Sequence, residues 1–130
     1  MTNLIVEKTL RTPYIFFDSE KCTLTIQGRS IPENSLQFYG VLFKWADNFY
    51  QDSAGHQNLE VTFKLEYFNT SSSKCILDFL RKLENLKQMG VKVSVLWFYD
   101  ARDEDMQEVG QDFKEILDLD IALLPNAEKE

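Results

Sequence analysis

The chain has 130 residues, 44% of them hydrophobic, and carries a formal net charge of −7. This length fits one domain over residues 1–130, which can bury a sizeable core without disulfides or metals. The acidic balance disfavours nucleic acid and anionic lipid as partners, because both would repel the chain.

Two cysteines, Cys22 and Cys75, lie far apart in the chain and form no CxxC motif. So few cysteines make no disulfide framework, which predicts reduced thiols in a cytoplasmic protein. The N-terminus shows no basic stretch before an apolar run, and no apolar run is long enough to cross a bilayer. We therefore expect neither a signal peptide nor a membrane span.

The N-terminal part of the sequence predicts a β-hairpin. Residues 14–18 are typical of a strand, a polar turn follows, and residues 23–27 alternate polar and apolar side chains. Residues 1–12 are weakly patterned and predict no regular element.

A helix is predicted after residues 28–34, which have the composition of a loop. Ser30 stands at capping-box spacing from Glu33, and the helix should run to about Tyr50. Its predicted buried stripe consists of Phe38, Val41, Leu42, Trp45, Ala46 and Phe49. A second, partial stripe consists of Tyr39, Phe43 and Tyr50. This second stripe marks either an exposed protein-binding patch or a helix with neighbours on two sides.

Three strands and two helices are predicted in the rest of the chain. In order, they are a strand at 59–68, a helix ending at Met89, a strand at 91–99, a helix, and a short strand at 119–124. The strand at 59–68 should bury Leu59, Val61, Phe63, Leu65 and Tyr67. The last helix should bury Met106, Val109, Gly110, Phe113, Ile116 and Leu117.

The predicted order of elements, β-β-α-β-α-β-α-β, indicates an α/β fold with a mixed β-sheet. A strand covered on both faces is continuously apolar, whereas residues 59–68 are polar at alternate positions. One face of the sheet is therefore expected to contact solvent, with the three helices packed mainly on the other face. This layout differs from a doubly wound nucleotide-binding fold.

The sequence shows no recognisable catalytic machinery. His56 is the sole histidine and has no motif around it, and the sequence lacks a glycine-rich phosphate loop and metal-ligand spacing. The acidic residues between Asp100 and Asp105 either hold a cation such as Mg²⁺ or complement the positive end of a helix, and the helix start is favoured. We expect a protein that is not an enzyme and that uses no cofactor, metal or small-molecule substrate.

Residues 69–74, with the sequence Asn-Thr-Ser-Ser-Ser-Lys, join a predicted strand to a predicted helix. Their composition has two interpretations. Asn, Thr and Ser are good helix N-caps, and composition alone favours that role. Alternatively, a hydroxyl in this segment accepts a phosphate, which the free N–H groups of a helix N-terminus tolerate while a docking partner meets new charge.

Three motifs in this sequence resemble those of the SiaC family of bacterial regulatory phosphoproteins. Leu65–Lys74 resembles the family's Y-x-N-T-S-S-x-K signature, Gly28–Ser35 its G-x-S-x-P-E-N-S element, and Trp97–Asp100 its W-x-Y-D element. The matches occur in the family's order, and the resemblance covers nearly the whole chain.

The resemblance implies a STAS-like fold, as in anti-sigma factor antagonists, and it places the family's phosphorylated threonine on Thr70. It also implies a dedicated kinase and a PP2C-type phosphatase as partners. In the best-known member, the unphosphorylated form binds and stimulates a diguanylate cyclase, which promotes cyclic-di-GMP signalling and biofilm formation. The alternative output is that of an anti-sigma factor antagonist in a partner-switching pathway.

Five further residues are assigned to the same site: Asn69, Ser71, Ser72, Glu33 and Asn34. Asn69 either caps the helix or orients the threonine hydroxyl. Ser71 and Ser72 are competent alternative acceptors, but hydrogen bonding to the helix start is favoured for both. Glu33 and Asn34 either begin a helix or lie beside Thr70 on a rim that faces the partner.

Overall fold

The computed structural model describes residues 2–52 and 58–126. The elements in chain order are β1 (Leu4–Val6), β2 (Tyr14–Asp18), β3 (Thr23–Ser30), α1 (Ser35–Asp52), β4 (Asn58–Phe68), α2 (Thr70–Gln88), β5 (Lys92–Tyr99), α3 (Glu104–Ile116) and β6 (Asp120–Pro125). His56 lies outside the described residues. None of the described helices combines the length and the apolar character needed to cross a membrane.

The strands form one six-stranded mixed sheet in the order β1-β2-β3-β4-β5-β6. The first three strands pair antiparallel, which confirms the predicted hairpin, and β3 to β6 pair parallel. Each parallel crossover leads to the next strand in the same direction. Right-handed crossovers of that kind place all their helices on one face of the sheet.

The core lies between that face and the helices. It is built from alternate residues of the strands, such as Ile26, Phe63 and Val95, which are almost fully buried. On the other face of β4, Glu60 and Lys64 are exposed. The predicted fold class is confirmed: a mixed sheet carries three helices on one face. Its likeness to STAS domains stays a prediction.

Two parts of the N-terminal prediction are wrong. Strand β1 was not predicted, because it has three residues and depends on antiparallel pairing with β2 instead of on a pattern of its own. Strand β3 continues through Gly28 to Ser30, where a loop was predicted. Gly28 has a φ of 118°, a conformation that glycine adopts readily. The strand therefore continues through this glycine, which in the sequence is typical of a turn.

The buried faces of two helices differ from their predicted stripes. In α1, Val41 is 44% exposed, whereas Tyr39 is fully buried, so the inward face is rotated toward the second stripe. The ring of Tyr39 can enter the core because its hydroxyl lies 2.6 Å from Ser30 Oγ. Tyr50 is half-exposed. In α3, Ile116 was predicted to be buried but is 54% exposed, whereas its neighbour Leu117 is buried as predicted.

The indole of Trp97 lies at the centre of the contact between α3 and the sheet. Its ring packs edge-on against Phe113 at 5.5 Å between centroids, and its Nε1 donates to the carbonyl of Met106 at 3.0 Å. Gly110 lies directly over this ring, since an added Cβ would come within 2.5 Å of Trp97 Cδ1 and 2.7 Å of Leu123 Cδ2. Glycine at this position therefore allows the close approach of α3.

Replacing Gly110→Ala should reduce the free energy of unfolding by about 1–3 kcal/mol, because the new methyl group must displace Trp97. Urea denaturation followed by tryptophan fluorescence measures the change. The matched control is Gly40→Ala in α1, where an added Cβ meets no atom within 4 Å. That change should stabilise the protein by about 0.5–1 kcal/mol through helix propensity. Equal effects of the two substitutions would contradict the close approach described here.

Candidate functional site

A β-bulge shapes the end of β4, just before the Asn-Thr-Ser-Ser-Ser segment. The parallel register runs Gly28↔Leu65 and then Arg29↔Tyr67, so Glu66 is an extra residue in β4. Tyr67 is consequently 52% exposed and not buried as its alternation predicted, and it stacks under the Arg29 guanidinium at 6.0 Å. Bulges re-aim side chains in this way and are frequent beside functional sites.

Asn69 is the N-cap of α2. Its side-chain Oδ1 accepts a hydrogen bond from the Ser72 N–H at 2.9 Å, and its carbonyl accepts from the Ser73 N–H at 3.0 Å. Its own N–H donates to the carbonyl of Ser30, at the end of β3, at 3.0 Å. Two of the four N–H groups without an intrahelical partner are thus satisfied, that of Ser72 by the cap and that of Asn69 by the sheet, and the helix start is tied to β3.

Thr70 is the first residue of α2, and its side chain is exposed. Within residues 2–52 and 58–126, its hydroxyl makes no hydrogen bond to another residue. The N–H groups of Thr70 and Ser71 also have no acceptor in that part of the chain. An exposed hydroxyl thus lies at the electropositive end of a helix, beside backbone N–H groups that its cap does not reach.

Ser71 joins the N-termini of two helices. Its Oγ lies 2.7 Å from the Oγ of Ser35, the first residue of α1, and 3.2 Å from Oδ1 of Asn69. The starts of α1 and α2 are therefore neighbours at the same edge of the sheet. The Ser71 hydroxyl is held by these contacts, unlike that of Thr70.

Ser72 is fully buried and belongs to a chain of hydroxyl groups. Its Oγ donates to the carbonyl of Ser30 at 3.1 Å and accepts from Ser30 Oγ at 2.8 Å. Since Ser30 Oγ gives its only proton to Ser72, the Tyr39 hydroxyl must be the donor in the 2.6 Å contact with Ser30 Oγ. Burial raises the pKa of Tyr39 to about 12, so the phenol keeps this proton at neutral pH.

The residues that precede α1 occupy the same edge of the sheet. Asn34 caps α1, because its Oδ1 accepts from the Gln37 N–H at 3.1 Å and its carbonyl from the Phe38 N–H at 3.1 Å. The predicted capping box between Ser30 and Glu33 is wrong, since Ser30 lies buried in β3. Glu33 is exposed, two residues before Ser35, which contacts Ser71.

The acidic residues after β5 serve the start of α3. Asp103 is the N-cap, with Oδ1 accepting from the Met106 N–H at 3.0 Å, which confirms the predicted helix start. Arg102 hydrogen-bonds to Asp100 through Nη2 at 3.2 Å and thereby lowers the pKa of that carboxyl. Among the described residues, no group of three or more His, Cys, Asp or Glu side chains is arranged to hold a metal ion.

The sequence-based site and the observed one overlap in part. The structure brings Asn69, Thr70, Ser71 and Ser72 together with Asn34 at one edge, where Asn34 begins a helix. Sequence reasoning did not assign the buried hydroxyls of Ser30, Ser35 and Tyr39 to the site. The first two lie within the Gly28–Ser35 element, so the signal was present in the motif but was not interpreted as contact with α2.

The fold and these contacts define a single-sheet α/β protein whose polar side chains meet where strands lead into helices. Its polar side chains at this edge cap helices and link the start of α1 to the start of α2. Thr70, between β4 and α2, is exposed and takes no part in these side-chain contacts. The chain belongs to the SiaC family of regulatory phosphoproteins, whose family model matches residues 6–126. The resemblance found in the sequence is thereby confirmed, and so is its interpretation as a regulatory protein and not an enzyme.

Relatives and solved structures agree with this membership. An uncharacterized protein of Pseudomonas aeruginosa strain UCBPP-PA14 is 39% identical over 115 residues, which cover 88% of this chain and 90% of the relative. The crystal structure of apo-SiaC from Pseudomonas aeruginosa matches with a TM-score of 0.86 and 36% identity, over 95% of this chain and 99% of that one. A crystal structure of the diguanylate cyclase SiaD in complex with its activator SiaC, from the same species, matches with a TM-score of 0.87 and 36% identity, over the same shares.

Replacing Asn69→Ala should reduce the free energy of unfolding by about 1 kcal/mol, because the Ser72 N–H loses its cap. Chemical denaturation measures this loss. Asn85→Ala is the matched control, since Asn85 is an exposed residue within the same helix. Alanine there should be neutral or stabilising by about 0.5 kcal/mol. A loss at position 85 as large as that at position 69 would contradict the capping role.

Proposed function

We propose that this chain is a phosphorylation-switched regulatory binding protein, acting as one domain over residues 1–130 in the cytoplasm. Reversible phosphorylation of Thr70, by a partner kinase and a PP2C-type phosphatase, controls its binding to a diguanylate cyclase and activation of that enzyme. The observation that carries the proposal is the exposed hydroxyl of Thr70, the first residue of α2, which makes no hydrogen bond to any other residue that the structure describes.

The neighbouring hydroxyls support the choice of Thr70 as the acceptor. Ser72 is fully buried, and its proton is donated to the Ser30 carbonyl, so a kinase would have to break the core to reach it. Ser71 is exposed, but its hydroxyl is engaged with Ser35 and Asn69. Thr70 can react without the loss of any described hydrogen bond.

The electrostatics of the helix start support a switch that leaves the fold intact. A phosphate adds about −1.5 to −2 charges and three acceptor oxygens. The N–H groups of Thr70 and Ser71, which have no acceptor among the described residues, are available donors, and the helix dipole favours negative charge at this end. The domain should therefore accept the group, while any partner docked on this edge meets a large change in charge.

A diguanylate cyclase is the proposed output partner because of the similarity to SiaC. In the matching structure, SiaC is the activator in complex with the diguanylate cyclase SiaD. Similarity over 95% of this chain at 36% identity supports the same use of the fold. The unphosphorylated protein carries no added charge at the edge that holds Thr70. It is the form proposed to bind the cyclase and to promote cyclic-di-GMP signalling and biofilm formation.

Replacing Thr70→Ala should abolish phosphate incorporation by a kinase preparation that labels the wild-type chain, because the acceptor oxygen is removed. Intact-mass measurement after treatment with ATP gives the result, and treatment with a PP2C-type phosphatase should reverse the wild-type mass shift. Ser73→Ala, three residues further along the first turn of α2, serves as the control and should be labelled like the wild type. Full labelling of the alanine variant at position 70 would assign the acceptor elsewhere.

Charge at position 70 should control binding to the cyclase. The matched pair is Thr70→Glu and Thr70→Gln, which share a shape and differ in charge. The Glu variant should bind the diguanylate cyclase of the source bacterium about tenfold more weakly than the Gln variant, because a charge is placed in the interface. Titration calorimetry compares the two affinities. Equal affinities, or recovery of an anti-sigma kinase by the unphosphorylated chain, would oppose a cyclase switch.

A further inference from the structure

The buried hydroxyls of Tyr39, Ser30 and Ser72 form a chain, which we call the hydroxyl chain, that ends directly under the acceptor turn. We propose that the hydroxyl chain positions Thr70 for phosphorylation, with Tyr39 of α1 acting on the turn through Ser30. This inference rests on the proposed function, since it assigns a role in the same modification to residues that do not touch phosphate.

The direction of the hydrogen bonds is fixed by the number of protons. The backbone carbonyl of Ser30 can only accept, so Ser72 Oγ is its donor, and Ser72 must then accept from Ser30 Oγ. Tyr39 supplies the last proton, over 2.6 Å. Protons therefore point one way from α1 through β3 to α2, an arrangement in which each bond polarises and strengthens the next.

The hydroxyl chain bears on Thr70 because it holds the backbone on both sides of that residue. Asn69, immediately before it, donates its N–H to the Ser30 carbonyl at 3.0 Å. Ser72, two residues after it, donates its hydroxyl to the same carbonyl at 3.1 Å. The carbonyl of Ser30 thus holds the chain on both sides of Thr70, through Asn69 and Ser72, while the side chain of Thr70 stays exposed. Such a fixed backbone and free hydroxyl suit an acceptor that must meet a kinase in a defined geometry.

Complete burial makes the hydroxyl chain sensitive to single changes. Ser30, Tyr39 and Ser72 are each 0% exposed, so a lost partner cannot be replaced by bulk water. Tyr39→Phe keeps the aromatic ring and removes only the first donor. Ser72→Ala removes the last link and leaves the Ser30 hydroxyl proton without an acceptor, which makes it the stronger perturbation.

The first measurement is amide hydrogen exchange on the unphosphorylated full chain, read at the Asn69 N–H by NMR. In Tyr39→Phe and Ser72→Ala this amide should exchange at least about tenfold faster, through local opening of the turn, while the Val95 amide in β5 is unchanged. Tyr99→Phe is the matched control, because Tyr99 is buried and its hydroxyl has no hydrogen bond among the described residues. An unchanged Asn69 amide in a folded Tyr39→Phe protein would overturn the proposal, even if Ser72→Ala fails to fold.

The second measurement uses a kinase preparation that labels wild-type Thr70, with the chain as the varied substrate. Tyr39→Phe should lower kcat about tenfold and leave KM within about twofold, since docking is retained and only the alignment of the acceptor is lost. A variant that is merely less stable would not show this split at a temperature where it stays folded. Unchanged kcat would overturn the positioning role while wild-type labelling upholds the proposed function. Failure of kinases to label the wild type at Thr70 would instead contradict the proposed function. The exchange measurement uses the unphosphorylated chain and tests the hydroxyl chain independently of that outcome.

Discussion

The carbonyl oxygen of Ser30 accepts two hydrogen bonds from the start of α2, and the geometry of the candidate site depends on this contact. It fixes Asn69 and Ser72 to the end of β3. After the bulge at Glu66, the last residue of β4, Phe68, also pairs with Ser30. A shift of α2 along the sheet would leave these buried groups unpaired, at a cost of about 1–3 kcal/mol for each group. The turn that carries Thr70 is consequently part of the packed structure and not a loose connection.

The parallel arrangement of β3 to β6 explains why three helix N-termini lie at one edge of the sheet. Each helix begins after the carboxyl end of a parallel strand, so the three caps, Asn34, Asn69 and Asp103, lie at the same edge. The positive ends of the helix dipoles are thereby collected in a protein whose net charge is −7. The start of α2, where Thr70 lies, is therefore a favourable position for an added negative charge.

Patterns local to one element were predicted well, and features that depend on contacts between elements were not. The alternation of β4 and the polar composition around Asn69 gave the strand, its solvent-exposed face and the start of α2. The bulge that turns Tyr67 outward arises from the register with β3, which a single strand does not encode. Tyr39 was placed off the buried face because it lies outside the main apolar spacing of α1, and the partner that allows its burial, Ser30, lies in another element.

The fold would treat a phosphate on Thr70 and a phosphate on its neighbour Ser72 very differently. Phosphate on Ser72 would have to break the hydroxyl chain and bury a charged group, which is far more costly than leaving a neutral hydroxyl in place. Phosphate on Thr70 breaks no described hydrogen bond and gains nearby N–H donors. Folding and modification are therefore energetically separable at Thr70 and coupled at Ser72.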